Sequence, residues 1–356
     1  MPTYADLARM LTALLLVAPI SAQGTPRPVD SLVLERLTTY GPDAPHRSTA
    51  TTSTGSEAPL IGLASTAAPG PGGRVYVLDQ LTQSIYVYSA SGTPERVIGR
   101  SGQGPGEFKM AFAFDVAADG RLAVLDDGLR RVTLFDAKDA VVATQPLGGS
   151  AAFGIVLGAT GFDLLREFGR TTPTALEFVP TNGAAARRYL TPTPRDRAFA
   201  RGGSPGFLAR GIGNELLYFS GAPGTWAVID AQHRVSARRG LELFPEADFV
   251  ARDEGRGPPL LYTPAGVVGG GVVGSRIFIV HLVTSFASST ARQMTQSWGI
   301  ALFDRDGTLR AQGTLPAEWG HPGRIHAGHG DTILIPFQEP EPHVRAVRLR
   351  VVPRRG

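Results

Sequence analysis

The chain has 356 residues, of which 42% are hydrophobic and 19% charged, which excludes a disordered chain and is enough to fill a packed core. It contains no cysteine, and this excludes disulfides, thiolate metal sites and a lipid-modified N-terminal cysteine. Its net charge of +4 is thinly spread, with scattered arginines apart from Arg345, Arg348, Arg350, Arg354 and Arg355, and only Lys109 and Lys138 as lysines. That distribution excludes the continuous basic stripe a nucleic-acid backbone requires.

Taken in order, the chain begins with Arg9 ahead of an apolar stretch from Met10 to Ile20 and a small-residue exit, Ser21-Ala22, before Gln23. This reads as a secretory signal over residues 1–22, with a mature start at Gln23 and an exported protein, periplasmic or released. The apolar stretch is too short to span a bilayer, which takes about 20 residues. No later run is longer, so no membrane span is expected. DSLVLERLTTYG, residues 30–41, reads as a lone strand, and the Ser, Thr, Ala and Pro-rich residues 42–59 as a loop.

From residue 74 a unit recurs. Its clearest copy runs from Arg100 to Gly149: a glycine turn GQGPGEF, an apolar run FAFDVAA, an Asp119-Gly120 turn, then RLAVLD and RVTLFDA. Runs of six or seven apolar and β-branched residues bounded by Asp and Gly are strand signals, and Asp-Gly between two of them predicts a two-residue hairpin. The second strand recurs as RVYVLD at Arg74, RLAVLD at Arg121, FDLLREF at Phe162, ELLYFS at Glu215, RIFIVHL at Arg276 and TILIPF at Thr332. A third strand follows each, and Gly213-Asn214 aligns with Gly330-Asp331 as corresponding turns. Six four-stranded units of this length are the signature of an all-β, six-bladed β-propeller.

The sixth unit lacks a fourth strand and the first is preceded by a spare one. Leu32 to Thr39 is therefore expected to pair with Val344 to Val351, closing residues 23–356 into a single domain without an open edge. Longer insertions are read at Thr191–Pro205, Phe244–Ala265 and Thr284–Gln296. GGGVVG at Gly269–Gly274 matches a dinucleotide fingerprint literally, but a strand rather than a helix follows it, so it reads as close-packed inner-strand glycine.

GRSGQGPGEF, D-G-R-L-x-V-L-D and R-V-x-L-F-D together resemble the bacterial six-bladed propellers of the NHL-repeat type, most specifically over residues 74–149. Proteins of that shape include protein-binding scaffolds, calcium-dependent lactonases and zinc-dependent lyases, so the fold alone does not select an activity. The resemblance implies that the ends of the second strands and the blade-to-blade loops share one face around the channel. Those ends are read as Asp79, Asp126, Glu167, Ser220, His281 and Gln338. Asp79 and Asp126 also fit a local role, hydrogen-bonding the turn that follows. His321, His326 and His329 are spread over opposite ends of one unit and are not expected to converge on a metal. Asn182 and Asn214 fall in turns on the far face, which counts against a lactonase, and no nucleophile elbow or H-E-x-x-H is present.

Two functions follow. The first is a non-catalytic, monomeric binding protein without a cofactor or metal, holding a protein, peptide or glycan through Arg100, Glu107, Asp126, Glu167 and His281. The second is a metal-dependent hydrolase or lyase using His281, Glu167 and Asp126 in the channel.

Overall fold

A computed structural model describes residues 29–41, 61–168, 174–194, 196–197, 205–221, 225–240, 250–252, 260–262, 265–286, 294–338 and 341–353. The signal reading at 1–22 and the loop reading at 42–59 lie outside these residues.

Strands follow one another as antiparallel meanders of four. Blade 1 comprises Ala64–Pro69, Val75–Asp79, Ser84–Tyr88 and Pro94–Ile98; blade 2, Ala111–Val116, Leu122–Asp126, Arg131–Phe135 and Val141–Pro146. Blade 3 comprises Ala152–Leu157, Gly161–Arg166, Leu176–Pro180 and Arg187–Tyr189; blade 4, Gly206–Arg210, Leu216–Ser220, Thr225–Ile229 and Val235–Gly240. Blade 5 comprises Ala265–Val273, Arg276–Phe286, Met294–Phe303 and Leu309–Thr314. Blade 6 takes His326–Ala327, Thr332–Phe337 and His343–Val352, and its outer strand is Asp30–Tyr40. The pairing runs from Ser31 opposite Val352 to Tyr40 opposite Val344, joining the two segments read as partners from the sequence, with a bulge between Arg36 and Thr38. Asp30 and Ser31 also bridge in parallel to Ala311 and Gln312, so the closing strand ties blade 6 to blade 5.

The second strands of blades 1 and 2 are buried at every position, whereas the outer strand of blade 2 is exposed along nearly its whole length. A strand covered on both faces reads as a continuous apolar run. Among the described residues a hydrophobic cluster fills each junction between neighbouring blades, from blades 1 and 2 round to blades 6 and 1. The ring therefore closes by packing as well as by hydrogen bonding.

Three details differ from the sequence reading. The Asp119-Gly120 connection is a longer loop, with the Gly120 amide donating to the Ala117 carbonyl and the Ala117 amide to the Arg121 carbonyl. Gly120, at φ +89°, supplies the left-handed residue that lets the turn rejoin the strand. At the insertion read at Thr284–Gln296 the described residues at either end continue the strands, with pairing reaching Phe286 opposite Met294. The insertion at Phe244–Ala265 carries a further hairpin, Val250–Arg252 against Leu260–Tyr262. Gly213 and Gly330, both at φ +63°, occupy like turns, as their alignment implied.

Because the strands alternate in direction, the turns between inner and second strands emerge at one end of the ring, the hairpin face. The turns between second and third strands and the links between blades emerge at the other, the loop face.

Candidate functional site

On the loop face the aspartates that end the second strands are consumed locally. Asp79 accepts from the amides of Gly62, Leu63 and Leu81 and from the Thr82 hydroxyl. Asp126 accepts from the amides of Lys109, Met110 and Leu129 at 2.8–3.0 Å and is fully buried. Each carboxylate thus fastens the incoming link and the outgoing turn of its blade.

The ladder shows which residues stand in for these aspartates elsewhere. Ala64 faces Asp79 and Ala111 faces Asp126, each one step before a bulge in the inner strand; Ala152 in the same place faces Arg166, Gly206 faces Ser220 and Val267 faces His281. In blade 6 the counterpart is Phe337, bridged to Pro322. The equivalences read at Glu167 and Gln338 are therefore each one residue too late, and such a slip turns a side chain to the other face of a strand. Arg166 points inward, donating to Glu177 at 2.6 Å and to the Ser150 carbonyl at 2.8 Å, while Glu167 is exposed. In blade 4 Ser220 donates to Asp196, whose other oxygen accepts from the Thr193 amide.

Arg100 and Glu107 form an ion pair at 2.7 Å, with Arg100 79% exposed. The Glu107 carboxylate also accepts from the amides of Gln103 and Gly104, and Arg131 binds the carbonyls of Gln103, Gly104 and Glu107, so the GQGPGEF turn is wired from both sides. His281 lies at the root of the extended blade 5 hairpin with its ring over the α-carbon of Gly299 opposite, and burial holds its pKa down to about 4. The described residues contain no group of three His, Cys, Asp or Glu placed to share a metal, and they do not bring Asp126, Glu167 and His281 together as one.

The other mouth of the channel, on the hairpin face, holds a set the sequence reading missed. A cavity of about 210 Å³ is lined by all six blades, among them Ala68, Asp115, Val156, Arg210, Gly271 and His326. Asp115 of blade 2 accepts from the Leu157 amide of blade 3 at 2.7 Å and from Arg210 of blade 4 at 2.5 Å. Arg210 also donates to the Leu157 carbonyl, so three inner strands are tied at the rim. Burial pushes the Asp115 carboxyl up, against Arg210 and the Leu157 amide, which pull it down.

Blade 6 supplies the rest. Its inner strand is drawn against blade 5 through a parallel bridge from Ile325 to Gly269, where a Cβ would stand 2.8 Å from Ile325. GGGVVG is thus the bare strip that admits a neighbouring backbone. His326 Nε2 lies 2.9 Å from the Thr66 hydroxyl of blade 1, and its ring centroid is 5.2 Å from that of Phe207 in blade 4. Arg324 sits over the Phe207 ring at 5.8 Å and reaches toward blade 3, its Nη1 3.8 Å from where a Gly154 Cβ would be. Burial holds Arg324 down to about 10; burial and the nearby Arg324 charge hold His326 down to about 3. Both stay partly accessible, and His326 lines the cavity. The sequence signals were charged residues in or just before inner strands: Asp115 within FAFDV, and Arg324 between glycine and isoleucine.

Residues 70–152 match the model of a family, DUF5128, described as a 6-bladed beta-propeller. The chain is a six-bladed β-propeller. It is similar to a solved structure of a member of the duf4221 family from Bacteroides vulgatus, with TM-score 0.60 and 7% identity over 91% of this chain and 100% of that one. It is also similar to virginiamycin B lyase from Staphylococcus aureus, with TM-score 0.52 and 11% identity over 90% of this chain and 100% of that one. At these identities the likeness is one of fold. No protein of curated function matches the sequence. Among the described residues no helix is long and apolar enough to cross a membrane.

Proposed function

We propose that this propeller is an exported, non-catalytic, monomeric binding protein that holds a protein, peptide or glycan partner on its loop face. The observation that carries the reading is the inequality of the two ends of blade 5. At the hairpin face its second strand follows its inner strand through a tight turn from Val273 to Arg276, whereas at the loop face its second and third strands run on to Phe286 and Met294. The loop face also presents Leu81 at 72% and Met110 at 52% exposure, beside Lys109. A raised hairpin beside exposed apolar tips suits a macromolecular partner, and loops on a rigid scaffold are where binding residues concentrate. In this reading Arg100, Glu167 and His281 face the partner, and Glu107 and Asp126 hold the turns that present it.

The test is alanine replacement of Arg100, Glu167 and His281 as one set and of Asp119, Asn214 and Asp331, on the hairpin face, as another, with partner capture from a periplasmic or supernatant extract, metal content and thermal stability measured for both. Loss of capture from the first set alone is expected. Equal loss from both sets, or stoichiometric zinc or calcium released by His281→Ala, overturns it, the latter in favour of a metal-dependent hydrolase or lyase.

A further inference from the structure

Among the described residues several packed arginines spend their guanidinium groups on protein acceptors, and Arg324 in the channel contrasts with them. Arg166 meets Glu177, Arg210 meets Asp115, Arg96 meets Asp139, and Arg131 is spent on three carbonyls. Arg324 has the face of Phe207, and among the described residues no carboxylate lies within ion-pair reach of its guanidinium. A cation held away from bulk water without a counter-charge is costly, and a π face offsets that cost only in part.

Its surroundings are arranged around an opening. Arg324 stands two residues before His326, on the stretch that leads into the inner strand of blade 6; His326 lines the cavity of about 210 Å³, and Arg324 lies next to it over the Phe207 ring. Thr66 presents its hydroxyl to His326, and Gly271 of blade 5 also lines the cavity. The acid at the rim, Asp115, is already held by Arg210 and by the Leu157 amide, so it does not serve Arg324, and the pair adds no net charge. His326 is neutral at ordinary pH. What remains is one positive charge beside a neutral imidazole and a hydroxyl.

We propose that the central channel is a binding site for a small oxyanion, a carboxylate or a phosphate, with Arg324 as its counter-charge and His326 and Thr66 as neutral hydrogen-bonding groups beside it. A guanidinium presents paired N–H donors that match two oxygens of either group. The cavity is smaller than the roughly 300–1,000 Å³ of sites for drug-sized ligands, which restricts the occupant to a few heavy atoms or to the acidic end of something larger. Entry is from the hairpin face, so the site is separate from the loop-face reading and does not depend on it.

The experiment titrates the purified mature chain with phosphate and, separately, with succinate at fixed ionic strength and pH 7, by calorimetry and by NMR of labelled arginine side chains. Saturable 1:1 binding with displacement of one guanidinium signal is expected, the signal being absent from Arg324→Gln. That variant should bind at least tenfold more weakly, with Arg324→Lys between the two. Binding of both anions identifies charge as the recognised feature, and binding of one alone identifies the phosphate or the carboxylate class. The proposal is overturned if neither anion binds the wild-type chain, if Arg324→Gln binds with unchanged affinity, or if neutral succinamide binds as well as succinate. The last comparison uses wild-type protein alone and decides the matter even if Arg324→Gln fails to fold. Loop-face capture should be unchanged in Arg324→Gln, which keeps the two readings separable.

Discussion

Blade 2 and blade 6 have the same four-stranded topology and reach it by different chemistry. Blade 2 is fastened by Asp126, which gathers three backbone amides, and by Arg131, which gathers three carbonyls. Where blade 2 has Asp126, blade 6 has Phe337, stacked on His343 at 5.2 Å and edge-on to Trp319 at 5.8 Å, with the Arg345 guanidinium over both Phe337 and Trp319. Its inner strand has two residues instead of six, and its outer strand comes from the other end of the chain. The regular blade spends its loop-face polar groups on its own turns and its channel acid, Asp115, on blades 3 and 4; the irregular one leaves Arg324 beside the channel without a carboxylate. In blade 6, departure from the repeat leaves the Arg324 guanidinium with an aromatic face in place of a carboxylate among the described residues.

The comparison can be broken first at the closing strand. Leu32 is buried in the cluster between blades 5 and 6, and Tyr40 in the one between blades 6 and 1. Removing residues 30–41 opens an edge and weakens two junctions, so denaturant unfolding should show a loss of several kcal/mol, about half of a typical domain's margin. An unchanged midpoint would mean that blade 6 does not need its fourth strand.

A smaller effect is expected in blade 3, where a buried ion pair replaces the aspartate device. Arg166→Ala leaves Glu177 buried with only Arg188, at 3.3 Å, to oppose it. Breaking such a pair costs about 3–5 kcal/mol. Urea unfolding of Arg166→Ala against the exposed Glu167→Ala measures it, and equal effects would contradict the register assigned here.

Acid should weaken the irregular blades next. His281 and His326 are held by burial at about 4 and about 3, below the ordinary histidine value of 6.5. As pH falls below 6.5 the unfolded chain takes up protons that the folded chain refuses, so stability is full at neutral pH and declines toward those values. His281 alone accounts for roughly 2 to 3 kcal/mol by pH 4.5. In His281→Leu the difference between urea midpoints at pH 7 and pH 4.5 should shrink by that share.

Asp126→Ala completes the series. It strands three amides, two of which regain water at the surface turn, and a loss of about 2 kcal/mol is expected. Loss of the Lys109 and Met110 amide protection in hydrogen exchange, with other blades unaffected, would show that the cost is local.

The same contrast governs what could be read from the sequence. Blades 1 and 2 were legible because a carboxylate that fastens a turn must sit at a fixed place, which leaves RVYVLD and RLAVLD nearly superimposable. The closing strand was legible by subtraction, since one unit lacked a strand and one strand lacked a unit. Glu167 was misassigned because FDLLREF offers two consecutive charged residues, and only the ladder opposite Ala152 tells Arg166 from its neighbour. The channel set was not legible because Asp115, Thr66, Arg324 and His326 come from blades 2, 1 and 6 and converge only when the ring closes. The Gly269–Gly271 strip was read as close packing, but its sequence does not say that blade 6 is what it admits.

The pairing of Ser31 with Val352 sets the two described ends of the chain side by side, more than 300 positions apart in sequence. Contacts of such long range are the slowest to form, because the loop they close is nearly the whole chain. A circular permutant that joins residue 353 to residue 30 through a short linker and opens between residues 41 and 61 would make all four strands of blade 6 consecutive. It should keep the native ring and its stability while folding faster, since the closing strand would pair as a local hairpin and only the packing of blade 1 on blade 6 would remain a long-range step.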